Sequence, residues 1–307
     1  MKAVTFSTFG GEDVIDIADV PVPEHGAARV RIKVRAAAVH PVDIATRSGD
    51  FSALMPDRPY FVPGWDLAGT VDAVGPGVST FRPGDAVVGL SVWFDSFAGT
   101  HAEFAVLDAD GLASAPRGAS WADAASLPLN ALTAAQALSQ LPEDAGSIAI
   151  IGAAGAVGAF ATELAVHQGK SVYAVASAQD EGFIRGLSAT FVPRSDDPAE
   201  AIREAAGRPV DAVIDAAGLG ESVLGAVRDR GSFVTSLPPR VPSPVRGIEV
   251  SAVQVAADGH RLGELVDLAE QGILSLRVAQ TYALDDAAQA HSRLEKGGVR
   301  GRLVLVP

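Results

Sequence analysis

The segment IAIIGAAGAVGAF, residues 148–160, constrains this chain more than any other. A charge-free apolar run ends in Gly152, Gly155 and Gly158, and an Ala-rich stretch follows. A strand, a tight turn and a helix account for that pattern. Glycine lets the turn adopt conformations that other residues avoid and lets two backbones approach closely. The helix that opens there offers unpaired N–H groups to an anion. The triplet alone suits an ordinary turn between packed elements equally well. The strand before it, the helix after it and the next strand, SVYAVAS, favour a dinucleotide phosphate turn. Its candidate contacts are Gly152, Gly155, Ala156, Val157 and Gly158.

The same region holds a long charge-free run, residues 145–162. Its glycines and its change from Ile-rich to Ala/Gly-rich argue against a membrane span. Strands and helices then alternate. Strands are expected at 148–151, 171–176, 190–192, 210–216, 232–236 and 248–253. Helices are expected at 157–167, from about 180, at 198–206 and near 220–228. Alternation of this kind predicts a parallel sheet with helices on both faces, an α/β architecture. The first third reads instead as short Val-rich strands separated by glycine and proline turns. One helix interrupts it at 41–48, with Pro41 suited to the first turn. A helix near 261–270 and a strand at 302–306 close the sequence, in a stretch too short to be a domain. The expected division is 1–118 with 254–307 in one discontinuous domain, and 119–253 in the other.

Charge and composition exclude several classes. Lys and Arg number 24 against 37 Asp and Glu, a net charge of -13, which repels nucleic acid and anionic lipid. There is no cysteine, so disulfides, thiolate nucleophiles and Cys zinc sites are ruled out. No secretory segment is visible at the start, and a cytoplasmic home fits.

An NAD site usually ends its second strand with an acid that grips the ribose diol. Here that strand ends at Ala176-Ser177-Ala178. The small Ser177 leaves room for a 2′-phosphate, and Arg194, just after the third strand, is the best nearby cation. NADP(H) is therefore the expected cofactor, with a solvated surface charge as the competing reading of Arg194.

Five segments, in order, carry a specific resemblance: AAAVHPVDIATRSGDF, PGWDLAGTVDAVGPGVSTFRPGDAVVG, SLPLNALTAAQAL, IIGAAGAVG and HSRLEKGGVRGRLVLVP. Together they resemble the medium-chain dehydrogenase/reductase superfamily, in its zinc-independent quinone oxidoreductase (zeta-crystallin-like) branch. The resemblance spans essentially the whole chain. It implies a GroES-like catalytic domain and a Rossmann domain, with the cofactor in the cleft between them. Zinc members carry Cys at the position of His40 and a His-Glu pair at Trp65-Asp66, together with a four-Cys structural loop. His40 and Asp66 are each able to bind a metal, Trp65 is not, and no zinc is expected.

Zinc-free relatives usually have Asn where His40 stands, beside the nicotinamide. Two readings of His40 stand side by side: it donates a hydrogen bond or a proton to a substrate oxygen, or it fills space. Asp43, three residues on, either orients His40 or caps the helix. Some relatives line the substrate mouth with tyrosines, whereas Ala45 and Phe51 stand in that stretch here. Tyr60 is the only tyrosine near by. Phe51, Tyr60, Trp65, Trp93 and Phe94 are candidate pocket walls or ordinary core residues. The resemblance also implicates Thr133, Ala217, Gly218 and Arg300 in cofactor contact. Arg300 has a surface charge as its alternative reading, and Asn130 is either a further contact or a satisfied buried polar group.

The resemblance implies hydride transfer from NADPH to a small quinone or an α,β-unsaturated carbonyl compound, and the residues leave the acceptor open. The alternative is a catalytically weak NADP(H)-binding sensor or structural protein of the same fold. A homodimer is expected through the apolar strand at 248–253, unless that edge is covered.

Overall fold

In the computed structural model, which describes residues 1–307, two short antiparallel strands come first, β1 (Lys2–Thr5) and β2 (Asp16–Asp19). The long strand β3 (Arg29–Val39) follows. In it Val30, Ile32 and Val34 are buried while Lys33 and Arg35 face solvent, the period-two pattern of a sheet with one covered face. From Ala36 to Val39 every residue is buried. Helix α1 (Pro41–Ser48) begins on Pro41, where no N–H is needed, and ends at Gly49 with φ +97°.

Strands β4 (Asp66–Val74) and β5 (Ala86–Leu90), the short helix α2 (Trp93–Ser96), and strands β6 (Phe104–Asp108) and β7 (Leu112–Ser114) follow. β3 pairs antiparallel with both β4 and β6, β4 with β5, and β5 with β7. Helix α3 (Trp121–Ala125) packs on β3 and β4, and Ser120 caps it by accepting from the Asp123 amide. Pro128 starts a separate helix, α4 (Pro128–Ser139).

The molecule divides into two units. Met1–Leu129, Ala256–Gln271 and Leu276–Pro307 form the first, and Asn130–Val255 with Gly272–Ser275 the second. Residues 119–129, assigned from sequence to the nucleotide half, thus group with the first unit, because α3 lies on its sheet.

The second unit alternates β8 (Ser147–Ile151), α5 (Ala156–His167), β9 (Ser171–Ala176), α6 (Glu181–Gly186), β10 (Thr190–Pro193), α7 (Pro198–Ala206), β11 (Val210–Asp215), β12 (Val227–Thr235) and β13 (Glu249–Ala252). Every pairing is parallel, in the order β10-β9-β8-β11-β12-β13. Ile151, Val175, Val192, Val213 and Phe233 share its core. The chain steps outward from β8 to β10, then returns to lay β11 on the other side of β8. That reversal creates a topological switch point at the C-terminal ends of β8 and β11, the usual ligand position in open α/β sheets. The helix expected at 220–228 is instead a 3-10 stretch, Gly220–Ala226, followed directly by β12. Gly220 has φ +57° and Val227 already pairs with Val210, so the connection is too short for a packed α-helix.

The remaining elements belong to the first unit, except Gly272–Ser275. They are α8 (Gly259–Glu270), β14 (Val278–Ala283), α9 (Ala287–Glu295) and β15 (Arg302–Val306). β15 pairs antiparallel with β3, Leu303 opposite Val39 and Leu305 opposite Ala37, and parallel with β14. The sequence reading expected neither β14 nor α9. β14 has no fully buried residue, so it lacks the apolar alternation that marks a strand.

Candidate functional site

In the second unit the glycine turn has the shape its sequence demands. Gly152 has φ +74°, and the amides of Gly152 and Ala153 both donate to the Val175 carbonyl at 3.1 Å. The turn is thereby tied across from β8 to β9. Gly155 caps α5 without a side chain, leaving the first-turn amides with no partner inside the helix. Gly155, Ala156 and Val157 stay half-exposed, while Gly158 is buried. A Cβ on Gly158 would lie 2.2 Å from the Gly152 carbonyl oxygen, so only glycine permits this approach of helix to turn. The result is a bare, backbone-lined cradle at a helix N-terminus, which fits a dinucleotide pyrophosphate.

Beside it, at the end of β11, Asp215 is fully buried and accepts from three amides. Oδ1 takes Ala217 at 3.0 Å and Gly218 at 2.8 Å, and Oδ2 takes Gly220 at 2.8 Å. This carboxylate pins the Ala217-Gly218 loop. A Cβ on Gly152 would meet the Ala217 methyl at 3.1 Å, so the two loops touch. Asp215 is absent from the site expected from sequence, although an acid ending an apolar strand must find partners.

Across the switch point, β10 runs alongside β9 with Pro193 opposite Ala176. The next residues on each strand are Arg194 and Ser177. Arg194 donates its amide to the Ala176 carbonyl at 3.0 Å and its side chain is exposed, while Ser177 is half-buried. On α4, Thr133 and Asn130 are buried.

In the first unit, His40 stands where β3 hands over to α1, with no exposed surface. Asp43 does not reach its ring. Asp43 Oδ2 accepts the His40 amide at 2.8 Å and Oδ1 accepts the Gly64 amide at 2.9 Å, so Asp43 caps α1 and ties it to the next loop. The ring partner is Asp66 instead: His40 Nε2 lies 2.8 Å from Asp66 Oδ1, both side chains fully buried. Asp66 Oδ2 accepts the Leu129 amide at 3.1 Å, and the Asp66 carbonyl accepts from the Thr100 hydroxyl at 2.8 Å. His40 Nδ1 is buried with no hydrogen-bond partner. The signal for this pair was present in the sequence: an acid opening an apolar strand is rarely buried unpaired.

The aromatic residues separate. Phe94 is the hub of a cluster, with ring centroids 5.2 Å from Phe51, 5.5 Å from Trp65 and 5.5 Å from Trp93. Trp93 is fully buried and donates its indole N–H to the Val62 carbonyl at 2.7 Å, so it is core. Tyr60 lies outside this cluster, on an exposed loop. Arg300 donates to the Gly298 carbonyl at 3.0 Å.

Several basic side chains are buried in the first unit. Burial pushes the Arg302 guanidinium down to about 10, against the pull of Asp66 and Asp43. His291 on α9 is fully buried with neither ring nitrogen bonded. Burial pushes it down to about 3, helped by nearby His101 and Arg47, and Arg47 pairs with Glu295.

Two family models match the chain. One, described as alcohol dehydrogenase GroES-like domain, covers residues 26–117, and one described as zinc-binding dehydrogenase covers 187–305. The donor set does not suit the zinc that the second description names. The chain has no cysteine, no three His, Asp or Glu side chains converge on a point, and both Asp66 oxygens are occupied. Among curated relatives, the 2-methylene-furan-3-one reductase of Solanum lycopersicum is 31% identical over 100% of this chain and 79% of its own length. The quinone oxidoreductase of Rattus norvegicus is 28% identical over 100% and 98%. Among solved structures, an NAD-dependent alcohol dehydrogenase superposes with TM-score 0.89 at 30% identity, covering 100% of both chains. Mycobacterial Rv1454c, solved complexed with NADPH, superposes with TM-score 0.84 at 28% identity, again covering 100% of both. No helix here is long and apolar enough to cross a membrane.

Proposed function

The chain belongs to the medium-chain dehydrogenase/reductase superfamily, in its quinone-oxidoreductase-like family, and from that premise we propose that it is a zinc-independent, NADPH-dependent reductase of quinones or α,β-unsaturated carbonyl compounds. The observation that carries this reading is the Gly152–Gly158 cradle at the switch point, where no side chain stands between backbone and ligand. Gly152, Gly155, Ala156, Val157 and Gly158 hold the pyrophosphate. Ser177 and Arg194, neighbours across β9 and β10, hold the 2′-phosphate in place of the acid an NAD site would use. Ala217 and Gly218, fixed by Asp215, keep the surface near the nicotinamide small. Thr133 and Arg300 complete the cofactor contacts.

When bound, the dinucleotide supplies the hydride. The residues supply position, exclusion of water and a proton donor. His40 carries the proton for the acceptor's oxygen, Asp43 keeps the His40 backbone in place, and Tyr60 borders the entry. The name of the tomato relative supports an enone acceptor and that of the rat relative a quinone. A homodimer in which the edge strand β13 pairs with its copy belongs to the same proposal, and light scattering on the eluted protein checks it.

The test is oxidation of NADPH, in parallel with NADH, against benzoquinone, naphthoquinone, cyclohexenone and a long-chain alkenal, with and without a chelator. Chelator-insensitive turnover with a preference for NADPH is expected. Turnover abolished by the chelator, or a preference for NADH, overturns the corresponding part of the proposal. One observation favours a second reading, a weakly catalytic NADP(H) sensor or structural protein: His40 has no exposed surface. Tight NADPH binding without turnover across the panel would select it.

A further inference from the structure

His40 Nδ1 is an orphan: buried, polar and without a partner, in a structure where most such atoms are satisfied. Its other nitrogen is firmly held. We propose that Asp66 is the positioning residue for His40: it takes Nε2–H, fixes the ring in that tautomer and leaves Nδ1 as the nitrogen that exchanges a proton with the acceptor's oxygen. This rests on the reductase reading and adds the residue that makes His40 usable.

Three features support it. First, the Nε2 to Asp66 Oδ1 contact, 2.8 Å with both side chains wholly buried, is the geometry in which a carboxylate sets an imidazole tautomer. Second, Asp66 is itself immobilised, by the Leu129 amide on Oδ2 and the Thr100 hydroxyl on its carbonyl. Third, the rival carboxylate is fully engaged, because both Asp43 oxygens accept backbone amides. The charged groups facing the pair are Asp43 on α1 and Arg302 on β15, with Arg277, just before β14, beside Arg302. A lone imidazole could present either nitrogen. With Nε2–H on Asp66, a neutral ring accepts at Nδ1 and a protonated ring donates there.

The proton balance in reduction follows. Hydride addition to the acceptor carbon leaves an electron pair on the acceptor oxygen. The Nδ1–H bond of the protonated ring breaks as the O–H bond forms, and Nε2–H stays on Asp66. The acceptor gains the hydride that a bound nicotinamide would supply, and water entering the space the product vacates returns the proton to Nδ1. A ligand oxygen at Nδ1 also satisfies the orphan.

Two measurements test the assignment. In Asp66→Asn, the NADPH dissociation constant should stay within about threefold while kcat falls about 100-fold. The limb of the pH–kcat profile that His40→Asn removes should also move or vanish in Asp66→Asn. Wild-type kcat with an unchanged pH profile would overturn the proposal. The second measurement needs neither a variant nor turnover: nitrogen NMR of wild-type protein carrying labelled histidine. A neutral His40 should show Nε2 protonated and Nδ1 bare, and the reverse tautomer would sink the assignment even if Asp66→Asn does not fold. If no acceptor turns over in the wild type, the proposed function fails, and the NMR result still decides which nitrogen Asp66 holds.

Discussion

Replacing Gly158 with Ala adds one methyl at the tightest point of the proposed cofactor cradle. Its carbon would lie 2.2 Å from the Gly152 oxygen, 2.7 Å from the Gly152 carbonyl carbon and 2.9 Å from the Ala153 Cα. All three are backbone atoms, so no side chain can swing away. The first contact falls short of ordinary van der Waals separation by about 1 Å, and α5 must retreat from the turn by a comparable distance. Overpacking of this kind costs about 1–3 kcal/mol, which lowers Tm by roughly 3–10 °C in a unit of this size. Under the proposed function the retreat also lengthens the amide hydrogen bonds to a bound pyrophosphate, each worth about 1.5–3 kcal/mol to a charged partner. The NADPH dissociation constant should therefore rise at least about tenfold. Titration calorimetry and thermal melts measure the two effects. Gly182→Ala on α6, where nothing lies within 4 Å of the added carbon, is the matched control and should be neutral or stabilising. Wild-type NADPH affinity in Gly158→Ala, with a melt no lower than the control's, would refute the close-approach argument.

Three further outcomes are expected. Arg194→Ala should weaken NADPH about tenfold and leave NADH within about twofold, measured by fluorescence titration of both; equal losses would remove Arg194 from the 2′-phosphate site. Burial alone raises Asp211, yet the Ser147 hydroxyl, the Arg228 guanidinium and the Ser147 amide outweigh it and hold the carboxyl down at about 2. Its folded pKa is depressed, so it contributes stability above the ordinary carboxylate range, about 1–2 kcal/mol after solvent screening, and that contribution fades from about pH 4 down through pH 2. Acid unfolding of Asp211→Asn should show a shallower slope in that window. His291, held neutral and down at about 3, disfavours the folded state as pH falls below its ordinary value, because the unfolded chain takes up the proton first. Wild type should lose about 2 kcal/mol more than His291→Leu between pH 7 and pH 5, read from urea unfolding at each pH.

Where local chemistry fixes an element, the sequence is explicit. Helix α1 starts on Pro41 and stops at a positive-φ Gly49; α7 starts on Pro198 behind the Asp197 cap and stops at Gly207 with φ +70°. Both bounds are readable because the residues that set them are neighbours in sequence. β14 is not readable, since VAQTYA is held by pairing with β15 and not by any apolar pattern of its own. The same distinction runs through the site. The glycine turn is local and legible. The Asp66–His40 contact depends on folding that brings residues 26 apart in sequence together, whereas Asp43 is close enough in sequence to attract attention and is spent on backbone amides.

The pairing of β15 with β3 sets an order of assembly. In chain order, β14 and β15 come after all of the second unit, including Gly272–Ser275. During synthesis the parallel sheet of the second unit can therefore close while the stretch of β3 from Ala37 to Val39 still lacks its β15 partner. An unpaired strand end of that kind is a template for mispairing with other nascent chains. His40 directly follows the waiting segment, so the strand that leads into it gains its second neighbour only when the translated chain delivers Leu303 and Leu305. The glycine turn at 152–158 thus acquires all its neighbours before the sheet of the first unit has its full set of strands.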